Sequence, residues 1–242
     1  MSEQANETWV KLYLPLLREM ADGYVRLPGS GRIRKQMAHD MKHNGIPLTM
    51  RGQAWPLLIG NKIRVTPQLY EHYKNYMYAS EAFTAADNNN GETKHLIEAD
   101  IPRTFPELNN LFAQVESLSG NLRELLVAYS HMRPEIGYVQ GMAHIAGMIL
   151  LHCGTPQECF KMFANIVSLE LLYDFYSIDN LRIRVTYKVF WRLLSQTCPI
   201  LYGCLIEESM VSCSIFLLGW ILTLYSGTFD ICIASVMWDQ IF

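Results

Sequence analysis

Arg103 lies on a stiff stretch of the chain, IEADIPRTFPEL, which spans residues 97–108. Pro102 and Pro106 flank it, and a proline fixes its own φ and holds the preceding residue in an extended conformation. An arginine loses about 2 kcal/mol of rotamer entropy when it is fixed, and stiff neighbours limit any further loss on binding. The stretch therefore indicates a guanidinium held ready to bind. The alternative is a surface arginine that pairs with Asp100, three residues upstream.

Gln140 is the second candidate, in the sequence GYVQGM at residues 137–142. It opens the segment VQGMAHIAGMILLHC, which is apolar nearly all round and predicts a central buried helix over residues 139–152. A buried neutral amide needs hydrogen-bond partners to offset its desolvation. In a cleft at the start of the helix, the amide could instead hold a water molecule or a backbone group. The alternative is a helix-end residue that the backbone satisfies.

Other chemical motifs are absent or incomplete in the sequence. The phosphate-binding pattern G-x-x-x-x-G-K-[ST] does not occur, so we do not expect the chain to bind a nucleotide through a loop of its own. His39 and His43 have the i, i+4 spacing of metal ligands, but no glutamate follows His39 as in H-E-x-x-H. A basic helix with two solvated histidines is therefore the alternative to a metal-dependent hydrolase.

Helices should position these side chains, because apolar residues recur at helical spacing and strand signals are scarce. Thr155 is a predicted N-cap, and Glu158 three residues later completes the capping pattern. Further helices are expected near residues 181–197, 211–225 and 229–241. The sequence thus predicts an all-α protein of roughly ten short helices. It also predicts a mobile polar loop at residues 84–94.

The composition indicates a globular protein. Half of the 242 residues are hydrophobic and 18% are charged, which suits one large domain or two small ones. The net charge of −3 gives no general attraction to nucleic acid. The first residues lack the pattern of a signal peptide. The most apolar window, residues 211–225, is shorter than the roughly 18–20 residues that a membrane-spanning helix needs.

The six cysteines form no C-x-x-C pair and lie in apolar surroundings. This pattern predicts reduced, buried thiols in a cytoplasmic protein. Residues 26–51 hold six lysines or arginines and one acid, Asp40. This basic segment could meet anionic lipid or an acidic partner and so influence partner selectivity, and the alternative is a solvated helix face.

Three motifs occur in order along the chain. They are R-G-x-x-W at residues 51–55, I-x-x-D-x-x-R-T-F-P at residues 97–106, and Y-x-Q-G-M at residues 138–142. In pattern, order and spacing they resemble the TBC domain, the family that activates GTP hydrolysis by Rab GTPases. The later stretches GWILTLYS and MWDQIF are also similar to its helices. The resemblance covers about residues 40–242, and three motifs in order are far more specific than R-G-x-x-W alone.

The resemblance implies that Arg103 and Gln140 are catalytic residues that enter the nucleotide site of a bound Rab. A guanidinium can donate to two oxygens of the transferring phosphoryl group, and an amide can orient the attacking water. Asp100 would orient Arg103. The remaining motif residues, which would support the site, are Arg51, Trp55, Tyr138 and Gly141. The resemblance implies no metal site and no cofactor of the chain's own, because the partner carries GTP and Mg²⁺.

The resemblance also implies an irregular multi-helix TBC-type domain over residues 33–242, after an N-terminal helix and loop over residues 1–32. The family domain usually continues past the W-D motif, so we expect residues 33–242 to be either cut short or abbreviated at the C-terminal end. The expected partner is a GTP-bound Rab-family GTPase and not nucleic acid. The protein is expected in the cytoplasm, and peripheral contact with endomembranes stays open.

Two other functions remain as alternatives to a GTPase activator. One is a catalytically silent Rab-binding scaffold, and the other is the metal-dependent hydrolase that would use His39 and His43. The presence of both Arg103 and Gln140 favours the activator.

Overall fold

The computed structural model describes residues 3–23, 29–83, 88–106, 116–208 and 212–242. The chain is 79% helical, and no strand occurs in these ranges. The predicted all-α class is therefore confirmed. Within the same ranges no helix is both long enough and apolar enough to cross a membrane.

Fourteen α-helices occur in the described ranges, more than the roughly ten that the sequence predicts. In chain order they are α1 Glu3–Thr8, α2 Leu14–Ala21, α3 Ser30–Asn44, α4 Leu48–Ile59, α5 Pro67–Phe83, α6 Asn88–Asp100, α7 Glu116–Met132, α8 Met142–His152, α9 Pro156–Val167, α10 Glu170–Tyr176, α11 Asn180–Thr197, α12 Pro199–Gly203, α13 Ser214–Thr223 and α14 Ile231–Ile241. A π-helical turn, Trp9–Tyr13, joins α1 to α2, and another, Cys204–Glu208, follows α12. A 3₁₀ turn, Ile101–Arg103, follows α6.

Helix α8 lies at the centre of the core and packs against α4, α7, α9 and α13. Its residues from Met142 to Ile149 are buried apart from His144, as the apolar segment predicts. The helix begins at Met142 and not at residue 139, because Gly141 adopts a positive φ of 107° that ends the preceding turn. Gln140 therefore lies in a turn before the helix and not inside it.

Some local predictions hold and others do not. The Thr155 hydroxyl accepts a hydrogen bond from the Glu158 backbone N–H at 3.3 Å, which confirms this N-cap. The polar segment predicted as a loop is helical from residue 88 onward, and residues 84–87 lie outside the described ranges. All six cysteines are free thiols. The prediction that they are buried is wrong for half of them, because three lie on outward faces: Cys198, Cys204 and Cys232.

The carboxylate of Asp239 on α14 connects the last helix to residues on and just before α4. It is fully buried and accepts hydrogen bonds from the Arg51 guanidinium, with Nη2 at 2.9 Å, and from Trp55 Nε1, also at 2.9 Å. The Ile46 backbone N–H donates to it at 2.9 Å. These donors stand 184 to 193 residues earlier in the sequence. One satisfied carboxylate thus joins the region before α4, and α4 itself, to the last helix.

Two glycines make room for this cluster. A Cβ on Gly52 would lie 2.2 Å from the His152 backbone oxygen, so only glycine lets α4 approach the end of α8. A Cβ on Gly45 would lie 2.9 Å from Asp239 Oδ2, and Gly45 also has a positive φ of 70°. The glycine of the R-G-x-x-W motif is therefore a requirement of close helix packing.

Arg51→Ala should lower the free energy of unfolding by about 3–5 kcal/mol, because it leaves the buried Asp239 carboxylate without a cationic partner. Urea unfolding followed by circular dichroism measures this change. Arg34→Ala, on the exposed face of α3, is the matched control and should change stability by less than about 0.5 kcal/mol. Equal unfolding midpoints for Arg51→Ala and wild type would show that the cluster does not hold the ends together.

His152 lies beside the same cluster and makes stability sensitive to acid. Its Nδ1 lies 3.0 Å from the Met148 carbonyl oxygen, and its ring packs on Trp55 with 4.6 Å between ring centroids. Burial, and then the nearby Arg51 charge, lower the pKa of His152 below its ordinary value. The folded chain therefore keeps this imidazole neutral at a pH where the unfolded chain protonates it.

Stability should fall as pH drops below the ordinary histidine pKa of about 6.5, because unfolding then takes up a proton at His152. His152→Gln stays neutral, so it should reduce the loss of unfolding free energy between pH 7 and pH 5. The contribution removed is at most about 1.4 kcal/mol for each pH unit. Urea titrations at both pH values measure it, with His43→Gln on exposed α3 as the control. An unchanged loss in His152→Gln would contradict this assignment.

Candidate functional site

Arg103 ends the 3₁₀ turn after α6, so Ile101 is helical and the extended conformation predicted before Pro102 is wrong. Two contacts hold Arg103 there. Its Nη2 donates to Asp100 Oδ1 at 2.5 Å, and its Nε donates to the Ala99 carbonyl at 2.9 Å. The side chain nevertheless remains 64% exposed. The guanidinium is thus oriented on one side and open to a partner on the other. The predicted pairing with Asp100 exists, and it leaves the cation accessible.

Asp100 joins the two predicted motifs. Its side chain is only 10% exposed, and its second oxygen, Oδ2, accepts a hydrogen bond of 2.6 Å from the Tyr138 hydroxyl. Burial, and then the bond to Asp100, raise the pKa of Tyr138 far above its ordinary value, so the phenol remains a donor. One carboxylate therefore holds Arg103 and fixes the segment that leads to Gln140, two residues after Tyr138.

Gln140 is exposed, and its side chain makes no hydrogen bond to any residue in the described part of the chain. The following residue, Gly141, packs closely on the end of α13, where a Cβ would lie 3.2 Å from the Leu222 carbonyl oxygen. The positive φ of Gly141 and this contact fix the backbone of the turn. The Gln140 amide is therefore open toward solvent and not satisfied by the nearby backbone.

The chain after Arg103 is anchored on the central helix. Thr104 is buried, and its hydroxyl donates to the Asp100 carbonyl at 2.9 Å. Phe105 has a positive φ of 52°, which is uncommon for a residue with a side chain. Its ring packs on His144 with 5.6 Å between centroids, and it fills the space above Gly147, where a Cβ would lie 2.9 Å away. Arg103 thus stands on a segment that α8 supports.

The other upstream acid, Glu98, does not meet Arg103. It forms a two-point ion pair with Arg123 on α7, in which Nη2 lies 2.8 Å from Oε2. The Arg123 hydrogen bond lowers the pKa of Glu98 below its ordinary value. This pair ties α6, which carries Asp100, to α7. The sequence contains no local signal for it, because the partners are 25 residues apart.

The structure separates the other predicted residues from this site. Arg51 and Trp55 belong to the Asp239 cluster, at the end of α8 that carries His152, whereas Gln140 precedes the beginning of that helix. An 11-residue helix spans about 16 Å. Arg51 and Trp55 therefore lie at the end of α8 opposite to Gln140.

The basic segment is partly a surface feature. The exposed bases on α3 are Arg32, Arg34, Lys35 and Lys42. Arg51 is buried and Arg26 lies outside the described ranges, so neither is part of that face as the structure shows it. The rings of His39 and His43 lie 4.4 Å apart. The described part of the chain has no group of three or more metal-ligating side chains, so it gives the hydrolase alternative no support.

A surface groove begins at Phe105, two residues after Arg103. One wall is Phe105 and Pro106, the floor is His144, and the other wall is the loop at residues 226–230 that follows α13. The Tyr176 hydroxyl donates to the Leu222 carbonyl at 2.5 Å and Trp238 Nε1 donates to the Leu224 carbonyl at 2.7 Å, which secures the chain entering this loop. Sequence reasoning missed the groove, because its parts are distant in sequence.

Comparison with known proteins gives one consistent result. The family model described as Rab-GTPase-TBC domain matches residues 48–242. The chain is 30% identical over 215 residues to TBC1 domain family member 12 of Xenopus tropicalis and 31% identical over 215 residues to TBC1 domain family member 14 of Bos taurus. Each match covers 83% of this chain and 31% or 30% of the relative. The chain thus spans about a third of the length of these relatives.

Solved structures share the fold. The Chlamydomonas flagellar RabGAP TBC domain aligns with 99% of this chain and 73% of its own, with a TM-score of 0.68 and 19% identity. The Ypt/Rab-GAP domain of Gyp1p aligns with 86% of this chain and 73% of its own, with a TM-score of 0.61 and 22% identity.

Proposed function

Because the chain belongs to the Rab-GTPase-TBC domain family, we propose that it accelerates GTP hydrolysis by a Rab-type small GTPase and supplies Arg103 and Gln140 in trans. One observation carries the proposal. The Asp100 carboxylate binds both Arg103 and Tyr138, so it brings the arginine motif and the glutamine motif together. Both candidate side chains remain exposed.

Arg103 would stabilise the charge that develops during phosphoryl transfer. Negative charge spreads over the oxygens of the γ-phosphate and the leaving group, and a planar guanidinium can donate to two oxygens at once. Its contacts with Ala99 and Asp100 use Nε and Nη2, and Nη1 donates no hydrogen bond to the described residues. The donors on Nη1 are the ones that a bound nucleotide would meet.

Gln140 would orient the attacking water. An amide can accept a hydrogen bond from a water molecule through its oxygen and donate another through its nitrogen. Water positioning is one of the few tasks a protein has in phosphoryl transfer, because positioning and electrostatics provide nearly all of the catalysis. The exposed amide and the fixed backbone at Gly141 suit this task.

The nucleotide and its metal would belong to the partner. Rab-type GTPases carry GTP and Mg²⁺ in their own site, and this chain contributes only side chains to the reaction. The mechanism therefore needs no cofactor held by this chain. Its requirement is that Arg103 and Gln140 reach a site on another protein, which their exposure allows.

Substitution at either residue should sharply reduce stimulated hydrolysis. Arg103→Ala should lower the stimulated rate on the order of 10³-fold, the lower end for arginines supplied to other GTPases. Arg103→Lys should lose nearly as much, because lysine keeps the charge and loses the planar fork. Gln140→Ala should also reduce the rate while leaving the unfolding temperature unchanged. Single-turnover GTP hydrolysis against a panel of Rab GTPases measures these effects.

Arg192→Ala, which removes an exposed arginine on α11 outside the basic segment, is the control and should retain the wild-type rate. Full activity of Gln140→Ala with several Rabs would show that Gln140 has no part in the mechanism. The turn before α8 would then serve only in packing. A wild-type chain that binds GTP-loaded Rabs without accelerating hydrolysis would favour the silent scaffold.

Tyr138→Phe tests whether the hydrogen bond from Tyr138 helps Asp100 to orient Arg103. The change removes the hydroxyl that bonds Asp100 Oδ2 and keeps the ring in the core. We expect kcat to fall about tenfold with little change in KM, since one hydrogen bond that orients Arg103 is lost. Tyr129→Phe is the matched control, because the Tyr129 hydroxyl is buried without a hydrogen-bond partner in the described chain. Equal rates for both variants would show that Tyr138 has no positioning role.

A further inference from the structure

The groove that begins at Phe105 is bounded by unusual backbone. Five residues other than glycine have a positive φ in the described part of the chain, and three of them lie here: Phe105, Leu224 and Tyr225. Such residues each cost about 1–3 kcal/mol and tend to cluster at functional sites. Phe105 forms one wall, and Leu224 and Tyr225 lead into the opposite wall. This clustering of strained residues favours a functional role for the groove, such as binding a partner.

Close packing restricts the conformation of the loop that borders the groove. A Cβ on Gly227 would lie 2.8 Å from the Thr223 side chain and 3.2 Å from the His144 ring, so the loop sits tightly on α8. Ser226 is buried, and its hydroxyl donates to the Thr223 carbonyl at 2.6 Å. A preformed groove loses less entropy on binding than a flexible one.

The lining combines apolar walls with a polar rim. Phe105, Pro106, Phe229 and His144 line the groove, and of these Pro106 and Phe229 are exposed. Phe229 is 36% exposed, and its ring is backed by Trp220 and Tyr225 with centroids 6.2 and 6.1 Å away. Asp230 stands at the rim, where one carboxylate oxygen caps α14 by accepting from the Cys232 N–H. The groove therefore suits an apolar side chain and disfavours an acidic one.

The position of the groove determines what covers it. Phe105 is two residues after Arg103, and His144 is four residues after Gln140, in the first turn of α8. A GTPase whose phosphates reach Arg103 and Gln140 would therefore lie next to residues that line the groove. We propose that this groove selects among Rab-family GTPases by receiving an apolar side chain that the partner carries beside its nucleotide. This inference rests on the proposed function.

Selectivity requires such a neighbouring contact. Arg103 and Gln140 would meet the phosphates and the attacking water, which every GTP-loaded Rab shares, so they cannot discriminate between partners. Discrimination arises from differences in affinity at the surrounding surface, including contacts that repel the wrong partner. A rigid aromatic side chain near the centre of an interface is a common source of such differences.

The test compares three single variants with the wild-type chain. Phe229→Ala removes the exposed aromatic wall, and Thr228→Trp fills the groove from an exposed position without removing a core contact. Ile63→Ala is the matched control, because Ile63 has the same 36% exposure and lies in the loop between α4 and α5. For each, Kd is measured with a panel of Rab GTPases loaded with a non-hydrolysable GTP analogue. Stimulated hydrolysis of the same panel loaded with GTP gives kcat and KM.

Phe229→Ala and Thr228→Trp should each raise Kd about tenfold for the best partner and change the order of preference across the panel. The kcat at saturating concentration should stay within about twofold, and Ile63→Ala should match wild type throughout. Melting temperatures accompany the measurements, and Thr228→Trp decides the question if Phe229→Ala fails to fold.

Wild-type Kd values and an unchanged order of preference in both groove variants would overturn the proposal. A fall in kcat alone would overturn it as well, since the loop would then position the chemistry and not select the partner. Binding without stimulated hydrolysis would reject the catalytic function, and the Kd comparison would still decide the role of the groove.

Discussion

The buried carboxylate of Asp239 is the constraint on which the rest of the structure depends. A fully buried charge is costly unless hydrogen bonds satisfy it, and here a guanidinium, an indole N–H and a backbone N–H do so together. These donors lie on or just before α4, whereas the acceptor lies on α14, the last helix. Both helices also contact His152 at the end of α8, through Trp55 on α4 and Ser235 on α14, so the cluster joins three helices. A merely apolar contact at this point would permit more arrangements.

A second shielded carboxylate, Asp100, lies near the other end of α8. It also binds an arginine, but with a different result. Asp239 is surrounded, and its partners are buried with it. Asp100 is also shielded, but one of its two partners, Arg103, remains largely exposed. The first carboxylate therefore stabilises the fold, and the second holds a cation at the surface in a fixed direction. An arginine that is already oriented loses less entropy when a partner binds it than a freely rotating one does. Its contacts with Asp100 and Ala99 therefore favour binding by Arg103.

The sequence predicts much of this arrangement, and the limits of prediction have physical causes. The nearly continuous apolar composition of residues 139–152 predicted the central helix, and the capping pattern predicted Thr155 as an N-cap, because both are local properties. Motif order singles out Arg103, Gln140 and their neighbours as candidate site residues, and their role stays a prediction. The sequence did not show that Asp239 satisfies Arg51 and Trp55, since that contact joins residues 184 to 188 positions apart. Nor did it show the start of α8 at Met142 or the groove that begins at Phe105, which depend on positive φ values that only the folded chain imposes.

The proposed function requires that this chain complete the catalytic site of a GTPase. A chain that does so binds the transition state more tightly than the ground state. The most direct measurement is therefore the affinity of the wild-type chain for a GDP-loaded Rab with and without aluminium fluoride, which mimics the transferring phosphoryl group. We expect the wild-type chain to bind tightly only with aluminium fluoride. In Arg103→Ala this increase in affinity should be lost. Equal affinity in both conditions, or a gain that survives Arg103→Ala, would contradict the proposed function.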